Sequence, residues 1–249
     1  MKKKLITKIN FKINLKFFVI GIFFLFMLLL LTYPIKLFFT SNLFLIKEIK
    51  ANVVLEADIV KLIKGKSLWD INLKEIYSKI HIRHPEYKKI QILKQFPSTL
   101  LIDIVTRKPF AQITCKYFYK IDREAVIISD GSLKPYVGLI PIKLEDQKFL
   151  YKRGLKIVDK RIQVVLSLID ELNKLNKFFE NFPIKFIDAA NLSELYFVIG
   201  NTKIIIGTDN FSKKLKLFRR IVEGELNSDL SLVEYIDLRY ENIYIKKQQ

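Results

Sequence analysis

The first apolar block runs from Phe17 to Ile35, FFVIGIFFLFMLLLLTYPI, 19 residues without a charge between Lys16 and Lys36. At about 1.5 Å rise per residue, a helix of this length roughly matches the ~30 Å hydrocarbon core of a bilayer. A globular core helix keeps a polar stripe, and this block has none. A cleaved signal peptide would have an apolar region of roughly 7–15 residues followed by a small-x-small site. The block is longer, and Lys36-Leu37-Phe38-Phe39 offers no such site. The pattern predicts an uncleaved membrane anchor, and no second stretch approaches membrane length.

Beyond a connector over 36–43 the pattern alternates between strand and helix periods. Phe44 to Val54 reads as a strand. Glu56 to Ile63 places Ala57, Ile59/Val60 and Ile63 at helical spacing, and Gly65 ends that helix. Ser67 to Asp70 is a turn. A second helix starts at Asn72, with Leu73, Ile76 and Ile80 on one stripe and Asn72/Glu75 in a capping-box relation, and stops at Pro85. Tyr87 to Phe96 is a strand with Ile90 and Ile92 on one face. Pro97-Ser98 turns the chain, and Leu100, Ile102 and Ile104 alternate on the return strand with Asp103 opposite. The order β-α-α-β-β, with two helices over one sheet face, is enough for a small core.

After Pro109 strand signals dominate. Ala111 to Tyr119, Ala125 to Ile128 and Gly138 to Lys143 read as strands, with a turn at Asp130-Gly131. Asp159 to Phe179 predicts an amphipathic helix through Ile162, Val165/Leu166, Ile169, Leu172 and Leu175. Ile184 to Ile187, Leu195 to Ile199 and Thr202 to Ile206 are strands, the last two joined by a Gly200-Asn201 hairpin turn. Asp209 or Asn210 can cap a helix to Glu223, and Tyr235 to Tyr240 and Ile243 to Ile245 close the chain as strands. The fold class is α+β: one N-terminal transmembrane helix, a β-α-α-β-β domain, then a mixed β-rich domain with two helices.

Charge changes the picture mainly through its placement. The chain of 249 residues carries 43 Lys+Arg against 25 Asp+Glu, a net +18. Six of those charges are Lys2, Lys3, Lys4, Lys8, Lys12 and Lys16, and the first acid is Glu48. The positive-inside rule then keeps residues 1–16 in the cytoplasm and puts everything after Ile35 outside. The remaining +12 would lie where cellular DNA is absent, so the expectation is no nucleic-acid partner.

Candidate chemistry is sparse. Lys64-Gly65-Lys66-Ser67 ends like a phosphate loop, but Val60 stands where that loop needs a glycine, so a helix stop is expected. His81 and His84 make half a zinc shell with nothing nearby to complete it, and a solvated helix end is expected. One cysteine excludes a disulfide framework, and Cys115 reads as a buried small hydrophobe. The carboxylate pairs Glu145/Asp146 and Asp170/Glu171 lack a surrounding cleft signature. The C-terminal segment is more informative. A terminal strand often lies at a sheet edge open to a partner strand, and Tyr240 and Tyr244 are side chains suited to anchor one.

The order of segments and several short motifs resemble the FtsQ/DivIB family of bacterial division proteins. Gly65-Lys66-Ser67-Leu68-Trp69-Asp70 resembles the family's G-x-S-L turn, and Phe96-Pro97-Ser98-Thr99-Leu100 its P-x-T-L hairpin. Arg107-Lys108-Pro109-Phe110-Ala111 resembles E-R-x-P-x-A, with Thr106 in place of the Glu. Tyr119-Lys120-Ile121-Asp122 and Ile236-Asp237-Leu238-Arg239-Tyr240 match the later domain, and Arg123-Glu124-Ala125 stands where the family usually has a glycine before a strand. The lengths resemble the FtsQ form more than the longer DivIB form.

The resemblance implies a tail at 1–16, a transmembrane helix at 17–35, a connector at 36–43, a POTRA-like domain at 44–109 and an FtsQ-type β domain at 110–249. It implies a non-enzymatic scaffold at the division septum, without cofactor, metal or small-molecule substrate. Its last strands would bind an FtsB-like partner by strand addition, bring FtsB-like and FtsL-like proteins to the septal cell-wall synthase and help regulate septal peptidoglycan synthesis. Arg239, Tyr240, Ile243, Tyr244 and Ile245 are the partner-binding residues it implies, Tyr240 at the family's hot-spot position. The POTRA-like domain would contact other divisome components. The rival expectations are another single-POTRA anchored interaction protein in transport and an anchored cell-wall enzyme.

Overall fold

The structure, a computed structural model, describes residues 15–144, 151–240 and 242–248. The tail lysines from Lys2 to Lys12 and the Glu145/Asp146 pair lie outside the described residues. Helix α1, Leu15–Phe39, continues without interruption through Pro34. Its side chains from Lys16 to Phe39 are exposed on every face. Lys16–Phe44 is long and apolar enough to cross a membrane, and is the one such segment among the described residues.

The chain forms two compact units, Met1–Ile80 with Ile90–Ile104, and His81–Lys89 with Val105–Gln249. The β-α-α-β-β order is observed: β1 Glu48–Ala51, α2 Ala57–Ile63, α3 Leu73–Arg83, β2 Tyr87–Gln95 and β3 Thr99–Thr106. The sheet runs β1-β3-β2, with β1 parallel to β3 and Ile49 opposite Leu100. Ile59 and Ile63 of α2, Ile76 and Ile80 of α3, and Leu100, Ile102 and Ile104 of β3 are buried, as their spacing dictates. Gly65 follows α2 at φ +79°, the left-handed conformation that glycine adopts freely. The Asn72 carboxamide oxygen accepts from the N–H groups of Lys74 (3.1 Å) and Glu75 (3.3 Å), which starts α3. The Asn52 side chain pairs with the Ile104 main chain at 2.9 and 3.0 Å and donates to Asp103 at 2.8 Å, extending the ladder where β1 ends.

The second unit contains β4 Ala111–Thr114, β5 Phe118–Ile121, β6 Pro141–Lys143, α4 Lys160–Lys174, α5 Asn176–Asn181, β7 Ile184–Asp188, β8 Tyr196–Ile199, β9 Thr202–Ile205, α6 Phe211–Arg220, β10 Val233–Asp237 and β11 Tyr244–Lys247. Its strands form one sheet of eight in the order β11-β10-β9-β8-β7-β6-β4-β5. The pairs β9/β10, β6/β7 and β4/β6 are parallel. The apolar face of α4 (Ile162, Val165, Leu166, Leu168, Ile169, Leu172) belongs to the same core as the strand residues Ile113, Ile142, Ile187, Phe197, Ile204 and Ile236. At its centre Phe218 of α6 meets Phe178 at 5.8 Å, Phe197 at 5.9 Å and Phe179 at 6.5 Å between ring centroids.

Several expected elements differ. The strand expected over Ala111–Tyr119 is a hairpin, with Ala111 opposite Ile121 and a turn at 115–117 closed by the Cys115 N–H to the Tyr117 carbonyl (3.1 Å). That turn contains no Gly or Pro, so alternation alone reads straight through it. Residues 125–128 make isolated bridges, Ile127 with Ile121 and Val126 with Lys156, rather than a strand. Ala125 there has φ +60° and breaks the extended run. The strand expected from Gly138 shortens to β6, because Gln112, buried in β4, holds the loop before it. Its amide donates to the carbonyls of Tyr136 (2.9 Å) and Leu139 (2.6 Å) and accepts the Tyr136 N–H (2.8 Å). The helix expected over Asp159–Phe179 divides at Leu175, whose φ −110° and ψ 28° reset the chain so that Phe178 is buried. The last turn of the final helix, Ile221–Glu225, is a π turn.

Candidate functional site

The last strand lies at one end of the eight-stranded sheet. Among the described residues it pairs antiparallel with β10 alone, Ile236 facing Ile245 and Asp237 facing Tyr244, with a bulge between Val233 and Tyr235. The period of two decides what β11 presents. Ile245, with Ile243 just before the strand, packs against the core, while Tyr244, Lys246 and Lys247 are exposed. Lys246 reaches Glu234 of β10 at 2.8 Å.

The expected strand over Tyr235–Tyr240 ends at Asp237, and the reason is a local ion pair. Asp237 is buried, and its carboxylate accepts the Arg239 N–H at 3.0 Å and the Arg239 guanidinium at 3.0, 3.1 and 2.6 Å. This Asx-type turn takes the backbone out of the ladder. A further Arg239 nitrogen donates to the Ser193 carbonyl at 3.1 Å. Burial pushes the Asp237 carboxyl up, but the hydrogen bonds and charge of Arg239 outweigh it and hold the group below the usual carboxylate range. Arg239 is raised in turn, chiefly by its hydrogen bonds to Asp237.

Of the five expected partner-binding residues, Tyr244 and Ile245 therefore lie in the edge strand, Ile243 just before it, and Arg239 and Tyr240 in the turn that precedes it. The turn brings the two tyrosines together. Their rings meet edge-to-face at 6.2 Å, and both stay exposed, Tyr240 at 58% and Tyr244 at 56%. The Arg239 guanidinium lies 5.4 Å from the Tyr240 ring centre. The result, among the described residues, is a sheet-edge strand with an exposed aromatic pair at its entrance. Asp237, absent from the expected set, positions Arg239, and the Asp-x-Arg spacing was the signal for it.

A second ion-pair cluster joins two of the other motifs. Arg107 donates to Asp122 at 2.6 Å and to Glu124 at 2.8 Å, and Lys88 reaches Glu124 at 2.6 Å. Asp122 is buried and also accepts the N–H groups of Glu124 and Val126, both at 2.9 Å. The hydrogen bonds of Lys88 and Arg107 lower the Glu124 carboxyl to about 2. These contacts close a loop.

The remaining candidates take structural positions. Gly65 of the GKS sequence sits in the turn after α2. His84 bonds Glu86 at 2.9 Å and stacks on Tyr87 at 4.7 Å. Cys115 is half-buried rather than fully buried, its thiol 3.6 Å from the Tyr117 carbonyl. Asp170 pairs with Arg123 at 2.9 Å, and Glu171 with Lys174. Among the described residues no group of three or more His, Cys, Asp or Glu is arranged to hold a metal ion.

No family model matches the chain. Single relatives do. It is 23% identical over 201 residues to the cell division protein FtsQ of Geotalea daltonii, covering 76% of this chain and 69% of that protein. It is 20% identical over 196 residues to FtsQ of Alcanivorax borkumensis, covering 78% of this chain and 69% of that protein. A third, FtsQ of Geobacter sp. strain M21, is 25% identical over 192 residues, covering 74% of this chain and 66% of that protein. The chain is thus similar to FtsQ cell division proteins over about three quarters of its length. These relatives are cell division proteins, and α1 of this chain is long and apolar enough to cross a membrane. The Ile236-Asp237-Leu238-Arg239-Tyr240 sequence is the Asp237–Arg239 turn and its exposed tyrosine.

Proposed function

We propose that the protein is a bitopic divisome scaffold. Its N-terminus stays in the cytoplasm, and its C-terminal edge recruits an FtsB/FtsL-like complex to the septum and so helps regulate septal peptidoglycan synthesis. Residues 44–109 serve as a POTRA-like domain for other divisome components, and 110–249 as the FtsQ-type β domain. The reading rests on one observation above others: β11 ends the sheet, and the Tyr240–Tyr244 pair stands exposed at its start. An edge strand offers unpaired main-chain N–H and C=O groups, which supply contact in strand addition while side chains fix the register. Arg239 supports Tyr240, and Ile243 and Ile245 hold the edge to the core. The function is one of binding: it requires no cofactor, metal, nucleic acid or small-molecule substrate.

Co-purification of the full chain with its cognate FtsB-like segment tests the reading. Tyr240→Ala and Tyr244→Ala remove exposed rings, so the fold should persist while capture of the segment falls at least tenfold, the loss of a hot-spot aromatic worth about 2 kcal/mol. Undiminished capture by both variants would show that the edge is not the site.

A further inference from the structure

A second exposed aromatic group sits at the opposite end of the chain's described part, where α1 ends. Phe39, in the last turn of α1, packs edge-on against Trp69 with centroids 4.9 Å apart. Trp69 lies 4.8 Å from Phe96 and 5.5 Å from Phe44, and Phe38 lies 5.2 Å from Phe44. Three segments distant in sequence, the end of α1, the turn before α3 and the β2–β3 turn, thus contribute to one cluster. Only Phe44 is buried; Phe39 and Trp69 are each 43% exposed and Phe96 is 49% exposed. Lysines flank it: Lys36 one turn before Phe39, Lys66 ahead of Trp69, and Lys94, whose ammonium donates to the Trp69 carbonyl at 3.4 Å. Asp70 is the acid next to Trp69.

The depth of this cluster follows from the span. A bilayer crossing needs about 20 residues. Counted from Phe17, it ends near Lys36, whose ammonium can reach the headgroups. Phe38 and Phe39 are the next turn and so fall at the lipid–water boundary. The 4.9 Å contact puts Trp69 at the depth of Phe39, and the 4.8 Å contact brings Phe96 with it. Exposed rings beside lysines are the composition that this boundary favours, because one end of each residue is apolar and the other wet. In water the same patch would be an uncompensated apolar surface.

We propose that Phe38, Phe39, Trp69 and Phe96 form a membrane seat, inserting the near end of the first unit into the phospholipid headgroup region where α1 leaves the bilayer. Lys36, Lys66 and Lys94 face headgroup phosphates around it. The seat would hold the first unit upright on its anchor instead of leaving it on a free tether.

Trp69 is the chain's single tryptophan, so its fluorescence reports this site alone. The test uses the full-length protein in phosphatidylcholine/phosphatidylglycerol vesicles whose acyl chains carry bromine at shallow or deep positions. The expected result is strong loss of Trp69 emission with shallow bromines, less with deep ones, and weak quenching by aqueous iodide. Resistance to alkaline extraction in the same vesicles checks that α1 is in the bilayer, so failure of the seat is told apart from failure of the span. Emission untouched by either bromolipid, or quenched more by the deep one, would overturn the proposal.

Discussion

Asp237 and Arg239, two residues apart, close on each other through a bidentate contact of 2.6–3.1 Å, and this pair ends β10 and sets the direction of the chain toward β11. The Asp237 side chain is 8% exposed and the Arg239 side chain 27%. Removing the arginine therefore leaves a nearly buried carboxylate with little compensation. Arg239→Ala is expected to destabilise the second unit by about 2 kcal/mol, read as a lower thermal midpoint in detergent. Arg239→Lys should recover only part of it, because an ammonium cannot reproduce the planar fork.

The same carboxylate gives a pH dependence of definite sign. The folded-state pKa values of Asp159, Asp209, Asp229 and Asp237 are depressed, and that of Glu124 falls to about 2. A depressed carboxyl stabilises the fold above its unfolded pKa, near 4, and loses that contribution as pH falls through the folded value. The thermal midpoint should be level from about pH 7 to 5 and fall between about pH 4 and 2. Asp237→Asn should start lower and fall less steeply over the same range.

Ala125 occupies a backbone conformation that usually costs a non-glycine residue about 1–2 kcal/mol. It stands at φ +60°, and it is fully buried, as is Ala111 in β4. Ala125→Gly relieves the strain while losing one buried methyl, worth about 0.8 kcal/mol, so its net effect should lie within about 1 kcal/mol of zero. Ala111→Gly has no strain to relieve and should be clearly destabilising. Comparing the two thermal midpoints checks the backbone assignment.

Much of the fold was legible because burial follows period. The 3.6-residue stripe of α4 and the alternation of β3 place their apolar residues inside as spacing requires. What escaped the pattern were breaks made by single contacts. The turn at Cys115–Tyr117 has no glycine or proline, Leu175 divides a continuous apolar stripe, and Gln112 shortens β6 through bonds to residues more than twenty positions away. The candidate site was legible only as a tyrosine-bearing terminus. Its split between turn and edge strand was not, because that depends on Asp237 choosing the Arg239 N–H and guanidinium over the ladder.

Phe218 is the centre of the second unit's aromatic interior, touching three other phenylalanine rings. It is wholly buried. Phe218→Ala is expected to cost about 3–5 kcal/mol, and Phe218→Leu much less, as measured by resistance to proteolysis of the full chain in detergent.

Under the proposed function, a partner strand pairs with β11 through main-chain hydrogen bonds. Amide hydrogen exchange of the full chain, with and without the cognate FtsB-like segment, tests it most directly. New protection is expected to concentrate in residues 243–248, with the first unit unchanged. Protection confined to another surface, with β11 exchanging as fast as in the free protein, would contradict it.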